Sequence, residues 1–196
     1  MTHELLLALA AFAFVTSVTP GPNNLMLMAS GANFGPMRTV PHLLGVALGF
    51  VGLAIPVGLG LGRAFEAFPA LRTALAVMSI IYMAWLAWKI ATSAPPEDRD
   101  GTGKPLTFLQ AAAFQWVNPK AWAMALTAMT VYAPGGSVGA VLLVGLVFGA
   151  INLPSVWLWV ILGQQMRRIL TNAIRLRLFN WTMAMLLVAS LWPLVR

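Results

Sequence analysis

The sequence predicts an all-α integral membrane protein with six transmembrane helices, arranged as two inverted three-helix repeats in which helices 1 and 4 are broken at proline motifs. Three observations lead there. The 196 residues are 60% hydrophobic and only 9% charged, a balance outside the range of soluble domains. The few charges delimit uncharged runs long enough to cross a bilayer, which takes about 20 mostly apolar residues per helix. Two of those runs carry prolines and asparagines near their centres instead of at their ends.

The first run lies between Glu4 and Arg38 and holds span 1, residues 5–33. Thr19, Pro20, Gly21, Pro22, Asn23 and Asn24 interrupt it. The pieces 5–19 and 22–33 are each too short to cross alone, but together they cover about 40 Å at helical rise, so the break falls at membrane depth. Span 2 covers residues 39–61. Span 3, residues 70–90, is a little short, and Arg72 and Lys89 are expected to snorkel to the headgroups. The run from Pro105 to Met166 divides at Ala133–Ser137 into span 4, residues 106–132, and span 5, residues 138–163. Asn118 and Pro119 interrupt span 4 as the earlier prolines interrupt span 1. Span 6 covers residues 179–195.

The soluble-looking stretch 94–105 reads as a linker within one transmembrane domain, joining repeat 1 (residues 1–93) to repeat 2 (residues 106–196). Gln164 to Arg177 carries basic residues at helix-like intervals and is expected to lie along an anionic membrane surface. The start Met1–Glu4 lacks the basic residues of a cleavable signal, so the first span is expected to stay. There is no cysteine, which excludes disulfide and thiolate chemistry. The net charge of +7 is not a nucleic-acid signature, because it follows from where Lys and Arg sit. Arg38, Lys89, Arg99, Lys104, Arg167, Arg168, Arg175 and Arg177 share one face, which the positive-inside rule makes cytoplasmic, with both termini outside.

Shifted on itself by about 100 residues, the chain superposes Gly45 and Gly49 on Gly145 and Gly149, and Gly35 and Pro36 on Gly135 and Gly136. The first proline motif falls within two residues of Asn118–Lys120. Three spans said twice must enter the bilayer in opposite senses, the inverted architecture of many secondary transporters. The glycine pairs suit close helix packing either within one chain or between two, which leaves a homodimer open.

Each proline removes an amide donor and frees a carbonyl that hydrocarbon cannot satisfy, so such breaks belong beside a cavity or other partners. Pro22 and Pro119 are placed to open new helical segments, whose first amides suit a carboxylate. Lys120 is the only charged residue from Pro105 to Met166. At that depth it costs roughly 3 kcal/mol on insertion scales, so it is expected to face the bundle interior. Thr19, Asn23, Asn24, Gln115 and Asn118 are its polar companions, and Asn152 in span 5 is either cavity lining or interhelical glue. His42 is expected to be a wet interfacial residue. Tyr82, Trp85 and Trp88 are expected to form an aromatic belt. Trp157, Trp159, Trp181 and Trp192 are expected to face lipid or fill packing.

No metal-ligand spacing, acid–base pair, nucleophile with a histidine or phosphate-cradling loop occurs, so neither an enzyme nor a cofactor is expected. Three readings stand: a secondary transporter, a channel for small metabolites, or a scaffold subunit without flux of its own. Polar groups gathered at two mid-membrane breaks favour transport, because interhelical glue has no need to unwind backbone.

Residues 19–24 (TPGPNN), Gly35–Arg38, Tyr82–Ser93 and Gln115–Lys120 together resemble the LysE/RhtB family of amino-acid exporters over essentially the whole chain. Residues 19–38 and 82–93 look most like the branch that exports cysteine and O-acetylserine. The resemblance implies efflux of small amino acids or their derivatives across a bacterial inner membrane, with the proton motive force as drive. It maps the family's first motif onto Pro20, Gly21, Pro22 and Asn23, and its second onto Asn118, Pro119 and Lys120. Many members have an aspartate in the fifth span, where this sequence has Asn152.

Overall fold

In the computed structural model, which describes residues 1–93 and 104–192, the Thr2 hydroxyl accepts from the Leu5 amide and opens α1, His3–Val18. Pro20 and Pro22 have no amide to continue the ladder. The chain therefore becomes extended at Thr19 and Gly21, and α2 begins with Pro22 in its first turn and runs Pro22–Phe34. The two axes differ by 55°. At Gly35, φ is +80°, a left-handed turn that a side chain would strain, and Pro36 opens α3, Pro36–Pro56. A π-helical segment, Val57–Leu61, prolongs α3 until Gly60, at φ +122°, breaks the path. The short α4, Gly62–Ala67, leads into α5, Pro69–Ala91.

The second half repeats these devices. Thr107 and Gln110 form a reciprocal capping box at the start of α6, Phe108–Gln115. The Asn118 side chain accepts from the Lys120 amide and opens α7, Pro119–Tyr132, with Pro119 in its first turn. Positive φ at Gly135 and Gly136 turns the chain into α8, Val138–Ile169, capped by Ser137. Asn172 caps α9, Ala173–Ala189.

Among the described residues, three helical stretches are long and apolar enough to cross a bilayer: Pro36–Leu61, Thr73–Ala91 and Val138–Ile169. The bent pair α1 and α2 makes a fourth when taken as one span. The expected spans 4 and 6 do not reach that length as single helices: Asn118 and Pro119 split the former into 8 and 14 residues, and α9 has 17. The expected surface segment Gln164–Arg177 is corrected. Residues 164–169 continue α8, where Arg167 and Arg168 complement the C-terminal dipole, and the rest turns directly into α9. The expected linker 94–105 lies outside the described residues apart from Lys104 and Pro105.

Packing places α1 and α2 on α8, α6 and α7 on α3, α3 on α8, and α5 on α9. Glycines permit the closest seams. A Cβ on Gly163 would lie 2.0 Å from the Met28 carbonyl oxygen, and one on Gly31 2.3 Å from that of Val160, so α2 and α8 touch backbone to backbone. Gly45 and Gly49 press on Phe108, Ala111 and Ala112 of α6, while Gly145 and Gly149 meet Val51 and Ile55 of α3. Both glycine pairs thus pack within the chain. Phe148 joins the core of this crossing, 4.8 Å from the Phe50 ring. Outside, Leu109 is 75% exposed and Leu146 is 68% exposed, as leucines facing hydrocarbon are.

Candidate functional site

The break between α1 and α2 leaves a run of carbonyls without helical donors, and side chains from distant elements answer them one by one. Asn24 Nδ2 donates to the carbonyls of Ser17 and Thr19, each at 2.8 Å. Trp159 Nε1, from α8, donates to Val18 O at 3.1 Å. Lys120 Nζ, from α7, donates to Thr19 O at 2.8 Å, Thr19 Oγ1 at 3.0 Å and Pro20 O at 3.3 Å. The second break is met in the same way. Trp122 Nε1 donates to Trp116 O at 2.8 Å, and the Ser79 hydroxyl of α5 donates to Val117 O. The carbonyls freed at both breaks are therefore partnered, as they are not at frayed helix ends.

The two breaks also meet each other. Asn23 and Gln115 exchange amide hydrogen bonds at 2.8 and 3.0 Å, with Gln115 fully buried. Asn118 is buried and serves as the cap of α7. Gly21 has φ −177°, which any residue adopts, yet a Cβ there would lie 2.8 Å from Lys120 Cδ and 3.1 Å from its Nζ. The glycine makes room for the ammonium.

A polar cavity of about 20 Å³ sits at this junction, the size of a water molecule and not of an amino acid. Of the eleven residues expected at the site, Gly21, Asn23, Asn24, Asn118, Lys120 and Asn152 line it. The other five surround it: Thr19 and Pro20 supply acceptors to Lys120, Gln115 holds Asn23, and Pro22 and Pro119 open the two helices. Ser17 also lines the cavity and receives Asn152 Nδ2 on its hydroxyl at 3.0 Å. Asn152 Oδ1 is buried and has no partner. The start of α2 has no side-chain cap, in contrast to that of α7. One small space thus presents an ammonium, an uncapped helix N-terminus and an unpaired amide oxygen. Together they suit a ligand with a negative and a positive end. A second cavity, of about 540 Å³, opens at the far end of α3 between the π-helical segment and the turn at Pro134–Gly136, with Arg63 on its wall.

Several sequence expectations are corrected here. His42 is 2% exposed and not a wet interfacial residue, because α2, α5 and the chain at 104–106 close over the start of α3. Tyr82 is no belt residue: it stacks on Phe114 at 5.5 Å and its hydroxyl donates to Gln110 O, joining α5 to α6. Trp85 and Trp88 are exposed as a belt requires. Ser17, Ser79, Trp122 and Trp159 were not legible as site residues. Only Trp159 had a signal, since it stands seven residues after Asn152 and so on the same helical face.

The LysE type translocator family matches residues 14–191. The chain is 35% identical over 133 residues to the cysteine/O-acetylserine efflux protein of Escherichia coli O1:K1, covering 67% of each chain. It is 35% identical over 134 residues to the proteins of that name from Escherichia coli K12 and Shigella sonnei, again covering 67% of each. No solved structure matches. With its exposed leucines and apolar spans, its two partnered breaks and a family match over nearly its whole length, the chain is a multi-pass membrane transporter and not an enzyme, and it belongs to the LysE type translocator family.

Proposed function

We propose that this protein exports small amino acids or their derivatives from the cytoplasm by alternating access, with cysteine and O-acetylserine as the first substrates to test. The observation that carries this reading is the pairing, around one cavity, of Lys120 Nζ and the uncapped start of α2 with the unpartnered Asn152 Oδ1. The first two suit a carboxylate and the third an ammonium. The carbonyls freed at the first break already accept from Asn24, Trp159 and Lys120, so the substrate ammonium goes to Asn152 and the carboxylate displaces Lys120 from Thr19. The names of the 35% identical relatives support the substrate class.

The six-span inverted repeat belongs to this proposal. Its support is the packing pattern: α1 and α2 lean on α8 as α6 and α7 lean on α3, while α3 with α8 and α5 with α9 pair across the pseudo-symmetry. The concentration of Arg38, Lys89, Lys104, Arg167 and Arg168 at one end supports a cytoplasmic placement of that end, with both termini periplasmic in a bacterial inner membrane. The wide cavity beside Arg63 would then open outward, with the break nearly closed below it. Narrowing to about 20 Å³ at the break speaks against a continuous channel. Protons are the proposed coupling ion. Glu4 is the only described acid outside the short α4, and among the described residues no acid lines the cavity, so a carboxylate there is not the proposed proton carrier.

The test is export of a panel of labelled amino acids from overproducing cells, with and without an uncoupler. Cysteine or O-acetylserine should leave faster than in vector controls, and the uncoupler should remove the difference. No excess efflux of any panel member would discard the proposal.

A further inference from the structure

A third cavity, of about 40 Å³, lies where α2 ends and α3 begins, walled by α2, α3, α5 and residues 104–106. Its polar lining is Ser30, Asn33, His42, Lys89, Ser93 and Lys104. Three of these are satisfied by protein. Ser30 Oγ donates to Thr39 Oγ1 at 2.9 Å, whose own hydrogen goes to Gly35 O. Asn33 and Asn180 exchange amide bonds at 2.8 and 3.0 Å. Ser93 Oγ donates to Lys89 O at 2.9 Å.

His42 is different. It is 2% exposed, and neither Nδ1 nor Nε2 has a partner. An imidazole in either tautomer carries at least one N–H, so a buried donor stands unanswered in a side chain that lines the cavity. Lys89, whose Nζ lies 5.3 Å from the centroid of the Trp85 ring, and the exposed Lys104 face the same space. Among the described residues no acid lines it, and neither lysine has a carboxylate partner. An unmet donor and two lysines around one cavity are the lining an oxyanion needs. The remaining wall is apolar, formed by residues such as Met26, Leu86 and Leu106, which favours a singly charged group of carboxylate size over a hydrated dianion.

We propose that this cavity is a carboxylate-binding site, separate from the break, that takes up the acid end of a small amino acid between His42, Lys89 and Lys104. That the acid is the exported substrate, loading before it reaches Lys120, rests on the function proposed above. The binding of a carboxylate does not.

The chain has two histidines, and the other, His3, is exposed near the N-terminus, so ring-labelled histidine reports on His42 with little ambiguity. The full chain in nanodiscs of zwitterionic lipid would be titrated with acetate at fixed pH and ionic strength, and separately with chloride and with inorganic phosphate. The expected result is a saturable shift of the His42 ring nitrogens with acetate alone, His3 being unmoved. Binding should be about tenfold weaker or more in Lys89→Gln/Lys104→Gln, the scale of one lost charge-assisted bond. If the double variant folds poorly, Lys104→Gln alone, at an exposed position, should still weaken it. No saturable shift, an equal response to chloride or phosphate, or undiminished affinity in the folded variants would overturn the site. Acetate binding in a protein without export would discard the transport reading and keep this one, whereas export without a His42 response would do the reverse.

Discussion

The Lys120 ammonium lies 2.8 Å from the Thr19 carbonyl oxygen and 3.0 Å from its hydroxyl, a bond across 101 positions that ties the start of α7 to the end of α1. It joins the two broken helices at the point where each loses its own ladder. Lys120→Met removes that tie and leaves Pro20 O without its donor, while Thr19 O keeps Asn24. Charge-assisted bonds are worth about 1.5–3 kcal/mol, so the half-saturating internal substrate concentration should rise by roughly tenfold to a hundredfold, or export should cease. Lys120→Arg should rescue it only in part, because a planar guanidinium does not reproduce a compact point charge. Export rate against internal substrate, normalised to protein in the membrane, is the measurement. Unchanged kinetics in the Met variant would remove Lys120 from the mechanism.

Gly21→Ala separates fold from function. The backbone there is extended and accepts alanine, but the new methyl falls 2.8 Å from Lys120 Cδ and must push the flexible side chain aside. Membrane abundance and melting temperature should stay near wild type while export falls severalfold, by about 1 kcal/mol of lost binding. A large fall in melting temperature would show that the glycine serves the backbone instead.

Asn23 and Gln115 should behave as a pair. Asn23→Leu strands the buried Gln115 amide and Gln115→Leu the half-buried Asn23 amide, each at a cost of about 1–3 kcal/mol, whereas the double variant should cost less than the sum. Thermal unfolding of the four proteins in one detergent measures the coupling. Additive losses would mean that the reciprocal bond carries no energy of its own.

Gly163→Ala should be the most damaging of the small substitutions, since its Cβ would meet the Met28 carbonyl oxygen at 2.0 Å and backbone cannot yield as a side chain does. A loss of about 3 kcal/mol or more is expected, seen as low membrane abundance and early unfolding. Gly139→Ala, with nothing within 4 Å, is the control and should be neutral. Equal behaviour of the two would contradict the close α2–α8 seam.

Asn152→Ala removes the bond to Ser17 Oγ and the unpaired oxygen together. Measurable export should remain, with a raised half-saturating concentration, and Asn152→Asp should alter the pH dependence of export without being needed for it. Complete loss in the alanine variant at normal abundance would make Asn152 indispensable.

The class of protein and the positions of its breaks are properties of the chain alone. A run of apolar residues is apolar in any context, and Pro20, Pro22 and Pro119 lack an amide whatever packs beside them, so α2 and α7 begin where the sequence expects. Lys120 was legible for the same reason, because a lone charge in such a run has to find partners. Which partners it finds was decided by tertiary structure. That Lys120 takes Thr19, Trp159 takes Val18, Asn23 takes Gln115, and His42 is sealed behind α5 depends on how each helix is rotated about its axis. In a soluble protein an apolar stripe reveals that rotation. Here the lipid face and the packed face are equally apolar, so the sequence carries no stripe to read, and only the assembled helices determine which residues meet.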